Sequence, residues 1–279
     1  MRYSYSNGRP ITDQDEIDRI NRLRIPPGYH DVQVSPDPSS RIQAIGFDDR
    51  NRQQTMYHRD FVANQQRKKY EALTHFKPIF EAIKSDVAAA LEKPRSSREL
   101  AIAAIINLMI DLNFRIGRDK YVRDNQSYGA STLCCKHLKV SGNEVLIAFH
   151  GKRNVLNEGR VLDRNLKRHL REVSKTCKPD KRLFQYTDDR GGLRAVTNED
   201  VNSFLRKYGK GVSSKVIRTW QANQSFLDHL AAGSDLPAKQ RVHKAVESAA
   251  RDMHHTSAVF KKSYLHPDIL AHAETSKDT

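Results

Sequence analysis

Near its C-terminus the chain reads HHTSAVFKKSY, from His254 to Tyr264. A His-Thr pair stands ahead of a tyrosine, with two lysines between them. Upstream lie Arg115 in NFRIG, Lys152 in FHGKRN and Arg218 in IRTWQAN. Arg115, Lys152, Arg218, His255 and Tyr264 together supply what phosphoryl transfer needs when no metal takes part. A tyrosine oxygen can attack phosphorus. Planar arginine forks and a histidine can stabilise charge on the non-bridging oxygens. The leaving alkoxide needs a proton from a positioned cation, which a lysine can give.

Each of these residues also has a structural reading. Arg115 follows an apolar helical run and can cap it against the helix dipole. Lys152 sits at a hairpin tip, where a lysine is ordinarily solvated. Arg218 precedes Trp220 and can stack on it. A helical histidine is ordinarily core or surface, and a late tyrosine ordinarily packs. Other chemistries are absent from the sequence: there is no GxxxxGK[ST] phosphate loop and no HExxH zinc motif. Asp48-Asp49 and Asp188-Asp189 lie in turn-like stretches, whereas a two-metal site needs several converging carboxylates. The expectation is chemistry with no metal and no cofactor.

Lysine and arginine number 48 against 33 aspartates and glutamates, a net charge of +15. Such an excess attracts polyanions, nucleic acid first among them. No apolar run approaches the ~20 residues that span a bilayer. The N-terminus, MRYSYSNGRPITDQDE, lacks the apolar core of a signal peptide. Cys134, Cys135 and Cys177 form no metal-ligand spacing, and adjacent cysteines rarely bridge each other. This reads as a chain from a reducing, intracellular compartment.

Two kinds of structure must position these groups. From Thr12, TDQDEIDRINRLRI has acids in its first turn and Ile17, Ile20 and Leu23 on one face. That is a capped amphipathic helix, ended by Pro26-Pro27. DVQVSP, RIQAIGFD and RQQTMYH are short runs separated by turns, a small antiparallel sheet. Beyond Tyr57 the periodicity becomes helical. This places an N-terminal β-sheet domain over 1–64 and a catalytic domain over 65–279. Ser96 and Glu99 form a capping box ahead of LAIAAIINLMIDL, which is apolar nearly all round and should be the buried central helix. STLCCKHLKV, EVLIAFH and VLNEGRVL make a three-stranded meander, with Lys152 at its second tip. Four helical segments follow, and HAETSKDT is a frayed polar tail. The expected fold class is α+β: a small antiparallel β N-terminal domain plus a larger, mainly α-helical catalytic domain with a three-stranded β meander.

The order Arg, Lys, Arg-Thr-Trp, His-Thr, Tyr resembles that of type IB DNA topoisomerases of the small kind found in poxviruses and many bacteria. The likeness runs from about Arg24 to Pro267. It passes through RIPPGYHDVQVSPDPSSRIQAIGFDDRNRQQTMYH, FRIGRDKY, NQSYGASTL, FHGK, LFQY, DVNSFLR, IRTWQAN and HHTSAVFKKSY. Tyrosine recombinases share the catalytic set but lack the N-terminal domain and the SYGASTL run, and they stand as the alternative.

The resemblance implies relaxation of positive and negative supercoils without ATP or metal. One strand is nicked through a 3′-phosphotyrosyl intermediate, the free end swivels, and the strand is religated. It implies Tyr264 as nucleophile, with Arg115, Arg218 and His255 on the non-bridging oxygens. Lys152, with the first arginine, would protonate the leaving 5′-oxygen. It further implies a monomer that clamps double-stranded DNA, with Arg52, Gln54, Tyr57 and Tyr121 at DNA-meeting positions. The place of action would be the bacterial cytoplasm at the nucleoid, or a virion or host-cell interior for a viral source. Three positions depart from the family's pattern. Asn51 replaces a usual glycine and Thr55 a usual aromatic, which leaves target preference open. His254 stands where glycine is common, and is expected to face outward.

Overall fold

The computed structural model describes residues 3–93 and 97–275. Two compact units divide the chain, Met1–Glu71 and Ala72–Thr279. In the first, α1 (Gln14–Arg22) is capped by Asp13, whose carboxylate accepts from the Asp15 amide at 3.1 Å. Thr12 is therefore one residue too early to be the cap. Strands β1 (His30–Val34), β2 (Ile42–Phe47) and β3 (Gln53–Tyr57) form an antiparallel sheet in that order, with Gly46 opposite Gln54.

The β2–β3 turn is built on Asp48, whose Oδ1 accepts from the amides of Arg50 (3.1 Å) and Arg52 (3.0 Å). Within this turn Asn51 has φ of 57°. That left-handed conformation suits glycine, and asparagine adopts it more readily than most other residues. The Gly-to-Asn departure at this position thus fits the backbone. Helix α2 (Arg59–Glu71) ends the unit. Residue 64 lies within it, and the division into units falls where the helix stops.

The second unit is built around α4 (Arg98–Asp111), which packs on α3 (Phe76–Glu92) and is buried on nearly every side. Its N-cap is Ser97, whose hydroxyl accepts from the Leu100 amide at 3.1 Å. Ser96 lies outside the described residues, and Glu99 pairs with Lys93. After α5 (Asp119–Asn125), the stretch expected as the first meander strand begins instead as two 3-10 turns, Ala130–Thr132 and Cys135–His137. Side chains that bond the local backbone explain this. Thr132 bonds Gly129, and His137 Nδ1 accepts from the Cys134 amide at 2.9 Å. Strands β4 (Leu138–Ser141), β5 (Glu144–His150) and β6 (Leu156–Arg160) then form the antiparallel meander.

Cys135 and Cys177 are joined in a disulfide, with Cα atoms 6.1 Å apart, while Cys134 is free and buried. No spacing in the sequence marks this pair. The pair is 42 residues apart in sequence, and only the fold brings it together.

Helix α6 (Arg164–Ser174) is followed by a hairpin absent from the sequence reading, β7 (Gln185–Thr187) and β8 (Leu193–Ala195). Helices α7 (Asn198–Leu205), α8 (Ser214–Ala232), α9 (Ala238–Asp252), α10 (Ser257–Ser263) and α11 (Pro267–Thr275) complete the unit. Helix α11 takes in the start of the expected frayed tail; residues 276–279 lie outside the described residues.

Buried side chains of the second unit form two clusters. One gathers α3, α4, the meander and α6 to α7; the other gathers α9 to α11. Helix α8 is shared, giving Ile217 to the first and Ala222 and Phe226 to the second. Arg218 is thereby placed where the clusters meet. No described helix is long and apolar enough to cross a membrane.

Replacing Ser97 by alanine leaves the Leu100 amide without its cap. It should lower stability by about 1 kcal/mol, read as a lower urea midpoint with unchanged slope.

Candidate active site

Helix α4 ends at Asp111, and Arg115 follows in the non-helical segment beyond it, past Asn113 at φ 52°. Arg115 is thus not a helix cap. Its segment is clasped from behind by SYGAST: the Ala130 amide donates to Arg115 O (2.8 Å) and the Ser131 amide to Ile116 O (2.7 Å). The two segments approach so closely that a Cβ on Gly129 would stand 2.5 Å from Arg115 O. Thr132 Oγ1 fixes that glycine by accepting from its amide (2.8 Å) and donating to its carbonyl (3.0 Å). Arg182 steadies the clasp from outside, donating to Ser131 O at 3.2 Å and pairing with Asp119. The sequence reading singled out neither Gly129, Thr132 nor Arg182; SYGASTL entered it only as a motif.

Arg218, on α8, is only 7% exposed. Its Nη1 donates to Asn113 O, and its Nη2 donates to Met253 O at 2.5 Å. One guanidinium thus joins the chain just before Arg115 to the chain just before His255. Among the described residues, its buried Nε has no acceptor. Trp220 is not its stacking partner, because the indole packs on Phe76 and Phe80 at ring-centroid distances of 5.8 and 6.3 Å. The guanidinium carbon instead lies 5.6 Å from the centroid of the Tyr264 ring. Burial pushes the Arg218 pKa down to about 10, which leaves it cationic at neutral pH.

Arg115 Nη2 lies 3.0 Å from Nε2 and 3.2 Å from Nδ1 of His255, and Arg218 Nη2 lies 3.3 Å from Nε2. The His255 and Tyr264 rings are 4.7 Å apart. Four of the five expected catalytic residues therefore meet, across contacts of up to 140 residues in sequence. Burial, and then the charges of Arg115, Arg218, His254 and Lys152, push the His255 pKa down to about 3. The imidazole is thus neutral, with one N–H to donate. For Tyr264, burial alone would raise the pKa. The charges and hydrogen bonds of Arg218 and Arg115 outweigh it and set the phenol below its ordinary value.

Lys152 stands in a 3-10 turn (Lys152–Asn154) at the tip between β5 and β6, exposed. The turn itself is well tied, with Gly151 N bonded to Val155 O at 2.8 Å and Asn154 N to Gly151 O at 3.0 Å. Lys152 makes itself felt at the cluster through its charge on His255.

His254 does not face outward. It is half-buried, donates from Nε2 to Leu112 O at 3.0 Å and lies 5.8 Å from the Phe114 ring. Its φ of 54° explains why glycine suits this position. The hydrogen bond and ring contact give the histidine something in return for a strained backbone.

The four residues expected to meet DNA lie elsewhere. Arg52 and Gln54 are both held on Asp48 Oδ2, by Arg52 Nε at 2.9 Å and Gln54 Nε2 at 2.9 Å. In the sequence Asp48 stands out only as half of an acidic pair with Asp49. Those bonds to Arg52, with burial opposing, hold its carboxyl far below the usual carboxylate range. Tyr57, 45% exposed, rests against Phe61, and Tyr121 on α5 is 49% exposed. Among the described residues, no three of His, Cys, Asp and Glu converge as metal ligands.

A phenol made more acidic by two guanidinium groups, beside a neutral imidazole, is a nucleophile set among donors suited to an anionic centre. The comparisons sharpen that reading. Residues 58–278 match the family model "Eukaryotic DNA topoisomerase I, catalytic core", and residues 1–48 match "Bacterial DNA topoisomerase IB, N-terminal domain". The chain is 31% identical over 278 residues to DNA topoisomerase 1B of Acanthamoeba polyphaga mimivirus, covering 94% of this chain and 81% of that one. To the DNA topoisomerase 1B of vaccinia virus (strain Copenhagen) it is 23% identical over 286 residues, covering 95% and 88%. A DNA topoisomerase 1 of Mycosarcoma maydis matches at 26% over 183 residues, 60% of this chain and 18% of that protein. The chain belongs to the type IB DNA topoisomerase family. Its matched N-terminal domain sets it apart from the tyrosine-recombinase alternative.

The His255 shift carries a pH dependence. With a folded pKa of about 3 against an ordinary 6.5, the unfolded chain takes up the proton first as pH falls. The stability from the neutral ring is present above about pH 6.5 and is lost between there and about 3. The His255 ring should therefore remain neutral at pH 5 by NMR. The loss of stability from pH 6.5 to 4 should be shallower in His255→Asn.

Proposed function

We propose that this type IB topoisomerase cuts and reseals one strand of duplex DNA through Tyr264. The observation that carries the assignment is the gathering of Arg115, Arg218 and His255 around that one phenol. The Tyr264 oxygen attacks the scissile phosphorus and its proton goes to solvent. The bond from phosphorus to the 5′-oxygen breaks, leaving a 3′-phosphotyrosyl link. Lys152, with Arg115, gives the departing 5′-oxygen its proton. Arg115, Arg218 and the N–H of neutral His255 hold the non-bridging oxygens, where charge builds in the transition state. The same two cations favour phenolate and transition state alike. Rejoining is the reverse of this step, so the phosphodiester energy is conserved and ATP has no part to play.

Arg52, Gln54, Tyr57 and Tyr121 serve as DNA contacts in this reading. Asp48 presents Arg52 and Gln54 as one unit, and Tyr57 and Tyr121 offer exposed rings. A net charge of +15 favours duplex DNA and makes binding fall steeply with salt. In this reading a single chain carries out the chemistry, with Lys152 on the β5–β6 tip joining the four groups that already meet, and the place of action is wherever the cell or virus keeps its DNA.

The full chain should relax negatively and positively supercoiled plasmid in EDTA without ATP, while Tyr264→Phe binds DNA and forms no covalent adduct. A requirement for metal or ATP, or an adduct that survives the substitution, overturns the mechanism. Lys152→Ala should slow cleavage by about 10²–10⁴-fold, the usual worth of a general acid. A substrate with sulfur at the bridging 5′ position, a leaving group needing no proton, should recover much of that loss; no recovery removes Lys152 from the acid role.

A further inference from the structure

Asn223 lies on α8, beyond Arg218 on the same helix, and is 4% exposed. Every hydrogen-bonding group of its amide is engaged. Nδ2 donates to Thr219 O at 2.8 Å and to Tyr264 O at 2.9 Å, and Oδ1 accepts from the His266 amide at 2.8 Å. The first bond anchors the side chain to its own helix, and the other two reach across to the chain around the tyrosine. Tyr264 is the C-cap of α10, at φ −131° and ψ −42°, where the chain leaves the helix. Carbonyls at a helix end have no partner within their helix. Asn223 supplies one for Tyr264 and satisfies the next amide but one.

We infer that Asn223 is the positioning residue of the nucleophile, an inference that rests on the assignment of Tyr264 above. One rigid helix then sets both the Arg218 guanidinium and the main chain of the tyrosine on which it acts. The phenol oxygen is delivered to the cation pocket from a fixed point rather than from a free helix end. Only a primary amide of this length does this. Alanine loses all three bonds. Aspartate keeps the size and the acceptor for His266 but has no N–H for Tyr264 O, and it sets a carboxylate against that carbonyl.

Fixing a nucleophile before reaction acts on one direction more than the other. In the cleavage step the free tyrosine must already be aimed, and misplacement by about 1 Å costs on the order of 100-fold. In the resealing step the tyrosine is held by its own bond to phosphorus, so the anchor matters little. Loss of Asn223 therefore shifts the balance away from the covalent complex, whereas a merely structural loss lowers thermal stability or slows both directions together.

The test uses the full chain as wild type, Tyr264→Phe, Asn223→Ala and the near-isosteric Asn223→Asp, with supercoiled plasmid as substrate. Cleavage is read as adduct trapped by SDS with time, resealing as adduct decay after a salt chase, and binding by filter retention. Both Asn223 variants should bind as wild type, form adduct roughly 10- to 100-fold more slowly and reseal at the wild-type rate. Wild-type cleavage by a folded variant, or an equal fall in both rates, overturns the positioning role. If Asn223→Ala does not fold, Asn223→Asp alone decides by the same criteria. Absence of a Tyr264-dependent adduct in the wild type instead removes the catalytic reading itself, and the inference with it.

Discussion

A guanidinium kept out of water needs acceptors, and those that meet Nη1 and Nη2 of Arg218 are what bring the segments of the candidate site together. They are main-chain carbonyls, Asn113 O and Met253 O, from two stretches far apart in sequence. A buried charge without such partners is among the costliest things a fold can contain. Satisfying it leaves little freedom in how the Arg115 segment and the His255 segment approach each other. His254 adds a hydrogen bond across the same seam. Much of the site's geometry thus follows from the requirement that one cation be solvated by backbone.

The second constraint is electrostatic. Among the described residues no carboxylate pairs with Arg115 or Arg218; carbonyls, an imidazole and a phenol surround them. Two effects follow from one cause. The imidazole gives up its proton and the phenol becomes more ready to give up its own. Among the described residues no negative charge cancels this positive field, so an anion entering the site meets donors already in place. The N-terminal hairpin shows the opposite design, in which Asp48 cancels Arg52 and fixes its direction.

The elements legible in the sequence were those written in periodicity. The three N-terminal strands, the buried α4 and the long C-terminal helices follow from alternation or from apolar faces. The five chemical groups were legible only as a set, through their order along the chain. What stayed hidden were features that depend on contacts between distant stretches. The first part of STLCCKHLKV has strand-like composition, yet Thr132 and His137 bond their own neighbourhood and bend it into turns. The short β7–β8 hairpin has too few residues for a period to show. Nothing in HHTS reveals that the first histidine turns inward, because its partners are a carbonyl and a ring beyond the end of α4. The Cys135–Cys177 pairing is of the same kind.

Reading the site in chain order exposes an asymmetry in time. Arg115, Lys152 and Arg218 all precede His255 and Tyr264 in the sequence. On the proposed assignment, a ribosome completes the cationic pocket before it adds the nucleophile. A nascent or prematurely terminated chain ending short of α10 carries the charge that attracts DNA but lacks the tyrosine proposed to cut it. The reactive phenol joins the protein only after α8 and α9, the helices that hold it, have already been made.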